Sequence, residues 1–319
     1  MIEGQGLAVI ALGGNAILRP GEEATFSVQM RQLHATMRRV VSVMDRFSGM
    51  VFTHGNGPQV GDILLQNEMA RAKVPPMPLD VCVAQSQGQI GYMVQLALMN
   101  ELRRAGVEAD VICALTAVTI DPGNDEGQAI KPIGPYYSEQ EAVGIRAQRG
   151  WEMVEDKARG GYRRVVPSPP PVEVLGIGPL GDLVKRQGRK TILIAGGGGG
   201  VPLRLKGDQY SGMEAVIDKD LTSALIARGL SADMLIMLTD IEAVYKGFRT
   251  RSPLAMTKAT PAEMMALMAE GQFPAGTMGP KVKAACGFAD EGGKALITDA
   301  DHLPSALEGL SGTTIVKER

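Results

Sequence analysis

Residues 7–16 read LAVIALGGNA, an uncharged apolar run that ends abruptly in two glycines and an asparagine. Such a run predicts a short strand beginning at Leu7 and buried on both faces, as the strands of a parallel sheet are. Because Gly13 and Gly14 carry no Cβ, backbone N–H groups there can approach an anion closely. In an open α/β sheet, ligands bind at the carboxyl ends of the strands, so we expect phosphate to be handled at this edge.

The same design of apolar strand, glycine-containing loop and helix recurs along the chain. Short apolar or β-branched runs predict further strands over 50–52, 110–120, 191–195, 234–238, 295–298 and 313–316. Apolar residues at helical spacing, with capping residues, predict helices over 27–46, from the end of the loop 53–61 to about 72, and over 90–102, 217–228, 261–269 and from 276 onward. This alternation predicts an α/β fold, a three-layer αβα sandwich whose open, mainly parallel sheet is covered on both faces by helices.

Residues 121–171 interrupt the alternation. The segment 121–127 is rich in turn residues, and the prolines and glycine of KPIGP at 131–135 exclude regular structure there. Ser138 and Glu141 form a capping box for a short helix, and residues 161–166 pair as a hairpin with 151–154. About fifty such residues indicate an inserted, protruding lid subdomain. We therefore expect a first lobe over 1–185, which carries this lid, and a second lobe over 186–319.

Composition argues against several classes of partner. With 33 Lys+Arg against 35 Asp+Glu, the chain lacks the basic surplus of proteins that bind nucleic acid or an anionic membrane. The cysteines Cys82, Cys113 and Cys286 have no paired spacing, which suits a reducing compartment. No apolar run approaches the ~20 residues of a membrane span, and the first three residues lack the basic start of a signal peptide. A cytoplasmic protein with small-molecule ligands is expected.

The motifs of several enzyme classes do not occur in the chain. GxxxxGKS/T, HExxH and GxSxG are absent, and the glycines of 55–61 only approximate the dinucleotide fingerprint. What remains is a set of lysines in loops of glycine and proline, Lys131, Lys219 and Lys281. Phosphoryl transfer needs backbone donors, cations and a metal around a transition state of dispersed charge, with little covalent chemistry from the protein. This inventory therefore predicts a phosphoryl-transfer site.

Each of these features, taken alone, has an ordinary structural explanation. A glycine pair after a strand is more often a tight turn than a phosphate cradle, and Asp218-Lys219-Asp220 alone is a solvated helix start. Lys281 alone is a surface lysine, and His54 is more often a hydrogen-bonded strand-end residue than a base. These separate explanations do not say why every one of the features falls at the carboxyl end of a predicted strand. Their shared location favours one common site.

Eight short motifs, in order along the whole chain, resemble those of the carbamate kinases, a branch of the amino acid kinase family. The motifs are ALGGNA at 11–16, THGNGPQVG at 53–61, SQGQIGY at 86–92, KPIGPYY at 131–137, RRVVPSPPP at 163–171, EAVIDKD at 214–220, LTDIEAVY at 238–245 and GTMGPK at 276–281. Amino acid kinases usually place a lysine just before the first glycine pair, where this chain has Ala11, as carbamate kinases do. The resemblance implies that Lys131, from KPIG of the inserted subdomain, takes the place of that lysine.

The resemblance implies reversible phosphoryl transfer between ATP and carbamate, giving ADP and carbamoyl phosphate, with Mg²⁺ and in a homodimer whose second lobe binds the nucleotide. The groups around the transferred phosphoryl group would be Lys131, Lys219 and Lys281, with Asp218 orienting the lysines. Carbamate and the phosphoryl oxygens would be held by Gly13, Gly14, Asn15, Gly55, Asn56 and Gly57. The nucleotide site would be lined by Gly197, Gly198, Thr239, Asp240, Tyr245, Gly276 and Met278.

Two departures from the family pattern are present, and two other functions stay open. Residues 123–128 differ from the usual aspartate-proline-alanine-phenylalanine run, and Gln272 stands where histidine is common; we interpret both as adjustments of the lid. Another amino acid kinase acting on a carboxylate or a phosphate is one alternative, which KPIG together with Ala11 argues against. The other is a non-catalytic nucleotide-binding regulatory protein of the same fold, which would be expected to have lost at least one of the three lysines.

Overall fold

The structure is a computed structural model that describes residues 6–19, 21–121, 130–156, 160–186, 188–248, 252–273 and 278–318. Gly276, one of the predicted nucleotide contacts, and residues 123–128 lie outside the described residues. The helices are α1 Phe26–Val41, α2 Gly57–Ala70, α3 Leu79–Ala105, α4 Glu139–Arg149, α5 Ile177–Lys185, α6 Lys219–Gly229, α7 Pro261–Ala269, α8 Met278–Asp290 and α9 Leu303–Leu307. Short 3₁₀ helices cover Gly14–Ala16, Met44–Arg46 and Gly197–Gly199.

Strands alternate with these helices along the chain. They are β1 Leu7–Leu12, β2 Gly49–His54, β3 Ala109–Cys113, β4 Ala117–Ile120, β5 Ile130–Tyr137, β6 Met153–Glu155, β7 Tyr162–Pro167, β8 Pro171–Val174, β9 Lys190–Ile194, β10 Val201–Lys206, β11 Gln209–Gly212, β12 Met234–Leu238, β13 Val244–Lys246, β14 Leu254–Met256, β15 Lys258–Ala259, β16 Lys294–Thr298 and β17 Thr313–Ile315. Within the described ranges, the main sheet has the order β15-β17-β16-β12-β1-β2-β9-β3. Its pairings are parallel except for β16 with β17, which confirms a mainly parallel open sheet.

Strand β1 lies near the middle of the main sheet and contributes to both of its faces. Leu7, Val9 and Ala11 pack into one core, together with apolar residues of α6 and α8. Ala8 and Ile10 point to the opposite core, together with apolar residues of α1 and α3. The uncharged run of β1 is thus explained, since alternate residues are buried on opposite faces. The three-layer αβα sandwich predicted from this run is confirmed.

Among the described residues, three smaller sheets lie outside the main sheet. One has the order β11-β10-β4-β8, a second pairs β13 with β14, and the third, β5-β7-β6, is formed by the inserted segment. We use the name inserted subdomain for the described residues 130–156 and 160–167. The capping box of Ser138 and Glu141 and the pairing of β6 with β7 are both confirmed. The lobe division near residue 185 stays a prediction, and β9, which follows that residue, lies between β2 and β3.

The prediction that KPIGP cannot form regular structure was wrong. Strand β5 includes this segment and pairs with β7 alone, at the edge of its sheet. An edge position tolerates Pro132 and Pro135, since the missing N–H groups need not pair on the outer side. The register shifts between Ile133 and Tyr137, so the second proline falls in an irregular stretch where the ladder is already interrupted.

Two predicted boundaries around α3 were also wrong. The helix begins at Leu79, far before the predicted start at 90. Its first half buries polar side chains, Ser86 and Gln87, so the apolar periodicity understates the buried face. The single strand predicted over 110–120 is two strands in different sheets, because the chain leaves the main sheet after Cys113 and joins the second sheet at Ala117.

The helix predicted over 27–46 ends as α1 at Val41, and a 3₁₀ turn follows. Met44 in that turn is buried, so the apolar periodicity outlasts the helix. Helix α7 spans the predicted residues 261–269, with a capping box of Thr260 and Glu263. Among the described residues, no helix combines the length and the apolar character needed to cross a membrane.

Candidate active site

A cavity of about 550 Å³ opens where the parallel strands of the main sheet reach their carboxyl ends. The loops after β1, β2 and β12 line it, together with the start of α6, part of β5 and the start of α8. The predicted site residues that line it are Gly13, Gly14, Asn15, Gly55, Asn56, Gly57, Lys131, Gly198, Asp218, Lys219, Thr239, Asp240, Tyr245, Met278 and Lys281. Residues far apart in sequence are therefore brought to one edge of the sheet.

The loop after β1 places backbone groups at the cavity. The Gly13 N–H donates to Leu238 O of the neighbouring strand at 2.9 Å, and a Cβ on Gly13 would lie 2.6 Å from that oxygen. Only glycine fits so close to β12. In the 3₁₀ turn that follows, the N–H groups of Ala16 and Ile17 donate to backbone carbonyls within the turn. The start of the turn, at Gly14 and Asn15, lines the cavity. The first amides of a helical turn lack intrahelical acceptors, and they suit an anion.

The loop after β2 leads into the N-terminus of α2, which begins at the cavity. Asn56 occupies the N-cap position without capping α2; its Nδ2 instead donates to Ser86 Oγ of α3 at 2.8 Å. Gly198 packs against this amide, and a Cβ there would lie 2.2 Å from Asn56 Nδ2. The helix start at Gly57 therefore keeps amides and a positive dipole end directed at the cavity, which favours a bound anion.

Gly197 is not among the residues that line the cavity, although the resemblance assigned it to the nucleotide site. A Cβ at Gly197 would lie 2.4 Å from His54 Nε2, so this glycine packs against the buried histidine. His54 Nδ1 forms a hydrogen bond with Gly55 O at 2.9 Å. Burial, with a smaller contribution from the Lys219 charge, lowers the pKa of His54 to about 4, against the effect of its backbone hydrogen bond. A neutral, buried imidazole fits a structural role.

Two buried lysines share one buried aspartate at the start of α6. Lys219 Nζ donates to Asp220 Oδ1 at 2.5 Å, and Lys281 Nζ from α8 donates to Asp220 Oδ2 at 2.8 Å. The three side chains are between 5% and 13% exposed. The local sequence around Asp220 does not indicate this role, because Lys281 comes from a distant part of the chain. The arrangement places two ammonium groups side by side at the cavity, with one compensating charge between them.

Burial and mutual charge set the protonation of this cluster. Burial lowers the pKa of Lys219 to about 8, although Asp220 opposes the shift. Burial acts to raise the pKa of Asp220, but the charges of Lys219 and Lys281 outweigh it and lower the value to about 2. For Lys281, burial acts downward, and Asp220 more than compensates, so its pKa is raised. Near neutral pH the cluster carries one carboxylate and two cations, a net positive charge that suits phosphate.

The third lysine reaches the cavity from the inserted subdomain. Lys131 of β5 donates from Nζ to Asp218 Oδ2 at 2.7 Å, and its side chain is 35% exposed. Asp218 is also the N-cap of α6, where its Oδ1 accepts from the Asp220 N–H at 2.8 Å. The predicted orienting role of Asp218 is therefore compatible with its contact to Lys131, whereas Lys219 and Lys281 are held by Asp220.

Several other residues that line the cavity are apolar or aromatic. Tyr245 and Met278 line it as predicted, and the residues that sequence analysis did not identify there are Ile241, Val244, Phe248, Gln272 and Phe273. Gln272 Oε1 accepts from the Gly247 N–H at 3.0 Å. An apolar, aromatic-lined recess beside a cation cluster suits a ligand that has a flat ring at one end and anionic groups at the other.

The described residues contain no group of three or more His, Cys, Asp or Glu side chains arranged to hold a metal ion. In the cavity, both carboxylate oxygens of Asp220 and of Asp218 accept hydrogen bonds from protein groups. This donor set fits a Mg²⁺ ion that is bound largely by the phosphates of a nucleotide and by water, as Mg²⁺ commonly is.

Comparisons with known proteins agree with this geometry. The family model described as amino acid kinase family matches residues 6–299. Carbamate kinase from Thermococcus kodakarensis is 41% identical over 315 residues, covering 97% of this chain and 99% of the relative. Carbamate kinase from Trichomonas vaginalis is 41% identical over 313 residues, covering 97% and 98%. The solved carbamate kinase from Giardia lamblia bound to AMP-PNP superposes with a TM-score of 0.91 at 36% identity, covering 98% of this chain and 99% of that chain.

Proposed function

Because the chain belongs to the amino acid kinase family and, within it, to the carbamate kinases, we propose that it transfers a phosphoryl group reversibly between ATP and carbamate. The products of the forward reaction are ADP and carbamoyl phosphate. The observation that carries this proposal is the convergence of Lys131, Lys219 and Lys281 on two aspartates at a glycine-lined cavity. Ala11, where most of the wider family has a lysine, is fully buried in β1, so the third cation comes from the inserted subdomain.

The proposed reaction needs no nucleophile from the protein. An oxygen of carbamate attacks the γ-phosphorus in line, a new O–P bond forms, and the bond to the oxygen bridging the β- and γ-phosphates breaks, so that ADP leaves. The three lysines stabilise the charge on the transferring oxygens, and the amides at the starts of the 3₁₀ turn at Gly14 and of α2 bind oxygens of the substrates. The apolar recess beside Tyr245 and Met278 takes the nucleobase.

Mg²⁺ enters with the nucleotide in this proposal, as part of the substrate. It would be held by phosphate oxygens and water, and Asp218 and Asp240, which line the cavity, would accept hydrogen bonds from its water ligands. We also propose a homodimer, on the basis of the family resemblance. Size-exclusion chromatography with light scattering would measure the mass, and a single-chain mass of 33.8 kDa would refute the dimer.

The function is tested in the direction of ATP formation. Purified protein is incubated with ADP, Mg²⁺ and either carbamoyl phosphate or acetyl phosphate, and ATP is measured by a coupled assay. We expect ATP from carbamoyl phosphate at a rate well above that with acetyl phosphate, and loss of ATP formation when the metal is chelated. Failure to form ATP from carbamoyl phosphate would overturn the proposed function, and a preference for acetyl phosphate would indicate a different acyl phosphate as substrate.

A further inference from the structure

One side of α2 faces the cavity at its N-terminus and the inserted subdomain from Gly61 to Glu68. Gly57, Gly61, Leu64 and Glu68 follow each other at intervals of three or four residues, so they share one face of the helix. Gly57 lines the cavity at the N-terminus of α2, and Leu64 and Glu68 contact the inserted subdomain near the other end. The same helix thus carries a substrate-binding loop at one end and a docking face for the subdomain along the rest.

The middle of this face is a close backbone contact. A Cβ on Gly61 would lie 3.2 Å from the Cα of Gly134, which follows the Lys131-Pro132-Ile133 segment of β5. Gly134 has a φ of +72°, a conformation that favours glycine. Arg163 of β7 donates from Nε and Nη2 to the Gly134 carbonyl at 3.2 and 3.0 Å. The turn that follows Lys131 is therefore fixed within the subdomain and packed directly on α2.

The far end of this face is an ion pair that sequence analysis did not identify. Glu68, whose side chain is 11% exposed, pairs with Arg149 at the end of α4. Arg71, which follows the last residue of α2, donates to both oxygens of Glu68 at 2.8 and 3.1 Å and so orients the carboxylate toward the subdomain. A largely shielded, oriented ion pair contributes more than an exposed one, whose charges are screened by water.

Arg149 is itself placed by the subdomain. Its guanidinium carbon lies 5.1 Å from the centre of the Trp151 ring, and that of Arg164 lies 4.2 Å from the same ring. Arg164 pairs in turn with Glu214, which accepts a hydrogen bond from the Leu79 N–H at the start of α3 at 2.9 Å. The subdomain is thus attached to the rest of the protein at sites outside the cavity, and these attachments are stiffened by stacking on one tryptophan.

We propose that Glu68 is a positioning residue, which holds the inserted subdomain against α2 through Arg149 and thereby holds Lys131 in the cavity. The inference rests on the proposed function, because it assigns Glu68 an effect on turnover that is transmitted by Lys131. Neither Glu68 nor Arg149 lines the cavity. Loss of the pair should therefore lower the fraction of molecules in which Lys131 is in place and leave the nucleotide site intact.

The test uses the full chain with Glu68→Gln, which keeps the size of the side chain and removes its charge. The expected result is a kcat about tenfold lower, with the KM for ADP within about twofold of the parent value. Glu308→Gln is the matched control, since it removes the carboxylate of an exposed pair with Arg46, far from the inserted subdomain, and it should leave kcat unchanged. Arg149→Gln should reproduce the loss, and the double variant Glu68→Gln/Arg149→Gln should be no worse than either single variant.

A double-mutant cycle of Glu68→Gln with Lys131→Ala separates a positioning effect from general damage to the fold. If Glu68 acts through Lys131, Glu68→Gln should change kcat less than about twofold when Lys131 is already alanine. An equal loss in both backgrounds, or no loss in the parent background, would overturn the inference. If Glu68→Gln does not fold, Arg149→Gln, whose side chain is more exposed, is tested in the same cycle.

Hydrogen exchange gives a readout that does not depend on activity. Amides of 130–137 and 162–167 should exchange faster in Glu68→Gln than in the parent protein, while those of β1 and β12 should not change. If the parent protein forms no ATP from carbamoyl phosphate, the proposed function fails, and this exchange pattern still decides whether Glu68 docks the subdomain. Unchanged exchange in the subdomain would overturn the docking itself.

Discussion

The two sides of the cavity hold their cations in different ways. On the side of the main sheet, Lys219 and Lys281 are buried and share the buried Asp220, and the helices that carry them pack into the same core. On the side of the inserted subdomain, Lys131 lies on an edge strand of a separate sheet, and its side chain is 35% exposed. Two cations are therefore fixed by the core of the fold, and the third is placed by docking.

This difference has a functional consequence. Groups fixed by the core meet the substrate before and during the reaction, so they contribute to binding as well as to turnover. A group that docks can act mainly in the closed state, and only interactions that are stronger in the transition state than in the ground state raise kcat. In the structure Lys131 contacts Asp218, so the inserted subdomain is docked against the cavity.

We call the side of the cavity that carries Lys219, Lys281 and Asp220 the core-fixed side. The largest effect, a loss of stability, is expected from Asp220→Asn on this side. The change leaves two buried ammonium groups without their shared carboxylate, and breaking a buried ion pair in this way costs about 3–5 kcal/mol. Urea unfolding at pH 7 measures the loss. The control is Asp301→Asn, at an exposed pair with Arg39, where about 1 kcal/mol or less is expected. Unfolding free energies within about 1 kcal/mol of each other for Asp220→Asn and the parent protein would contradict the core-fixed arrangement.

The next effect compares the two sides directly, through Lys131→Ala and Lys281→Ala. Removal of one preorganised donor typically lowers kcat by ~10²–10³. We expect a loss of this order for Lys131→Ala, with ADP affinity almost unchanged, because none of the proposed nucleotide contacts belongs to the inserted subdomain. Lys281→Ala should also weaken ADP binding. The measurements are steady-state kcat and calorimetric ADP affinity.

Lys131→Arg adds a further constraint to this comparison. It should not restore full turnover, because a planar guanidinium does not reproduce a compact ammonium on β5. Near-normal turnover in Lys131→Ala would mean that the docked subdomain supplies no catalytic cation. Lys131 would then not replace the lysine that the wider family has at the position of Ala11. Equal losses of ADP affinity in the two alanine variants would remove the distinction between the two sides.

Much of the core-fixed side could be predicted from the sequence. Strands buried on both faces have an apolar composition that is recognisable locally, and the glycines at their carboxyl ends mark where a backbone must approach a ligand. The carboxyl ends of β1, β2 and β12 were identified in this way. Lys131 was identified as a lysine in a loop of glycine and proline, the resemblance then implied its role, and the structure places it in the same cavity.

What could not be predicted depends on contacts between distant residues. Asp220 is adjacent to Lys219, but its second partner, Lys281, lies 61 positions away. The first half of α3 was not identified because polar residues interrupt the apolar periodicity of its inner face, with Ser86 bonded to Asn56 and Gln87 bonded to Thr116. Local patterns report burial of apolar groups well, and they do not report a buried hydrogen bond whose partner comes from another element.

The pH dependence of kcat/KM should also distinguish the two sides of the cavity. Loss of the Lys219 cation should lower kcat/KM by about tenfold per pH unit. Because burial lowers the pKa of Lys219 to about 8, the cationic form is lost as the pH rises through this value. The kcat/KM for carbamoyl phosphate, which reports the free enzyme, should therefore fall above pH 8. Lys219→Arg keeps its charge and should remove this limb, whereas Lys131→Arg should leave it in place. An unchanged limb in Lys219→Arg would assign it to another group.

The smallest effect is expected from Tyr245→Ala, at one of the aromatic residues that line the cavity. Tyr245 lies on β13 and lines the cavity, and its ring contacts the nucleobase in the proposed complex. A contact made equally in the ground and transition states changes KM and not kcat. We therefore expect the KM for ADP to rise severalfold, by about 3- to 10-fold for the loss of one aromatic contact, with a much smaller change in kcat. Tyr245→Phe, which keeps the ring, is the matched control and should retain most of the affinity. If turnover collapses in Tyr245→Ala while the KM for ADP is unchanged, Tyr245 does not bind the nucleobase. The nucleobase would then bind elsewhere in the cavity, and the proposed separation of the nucleotide-binding side from the side of Lys131 would be wrong.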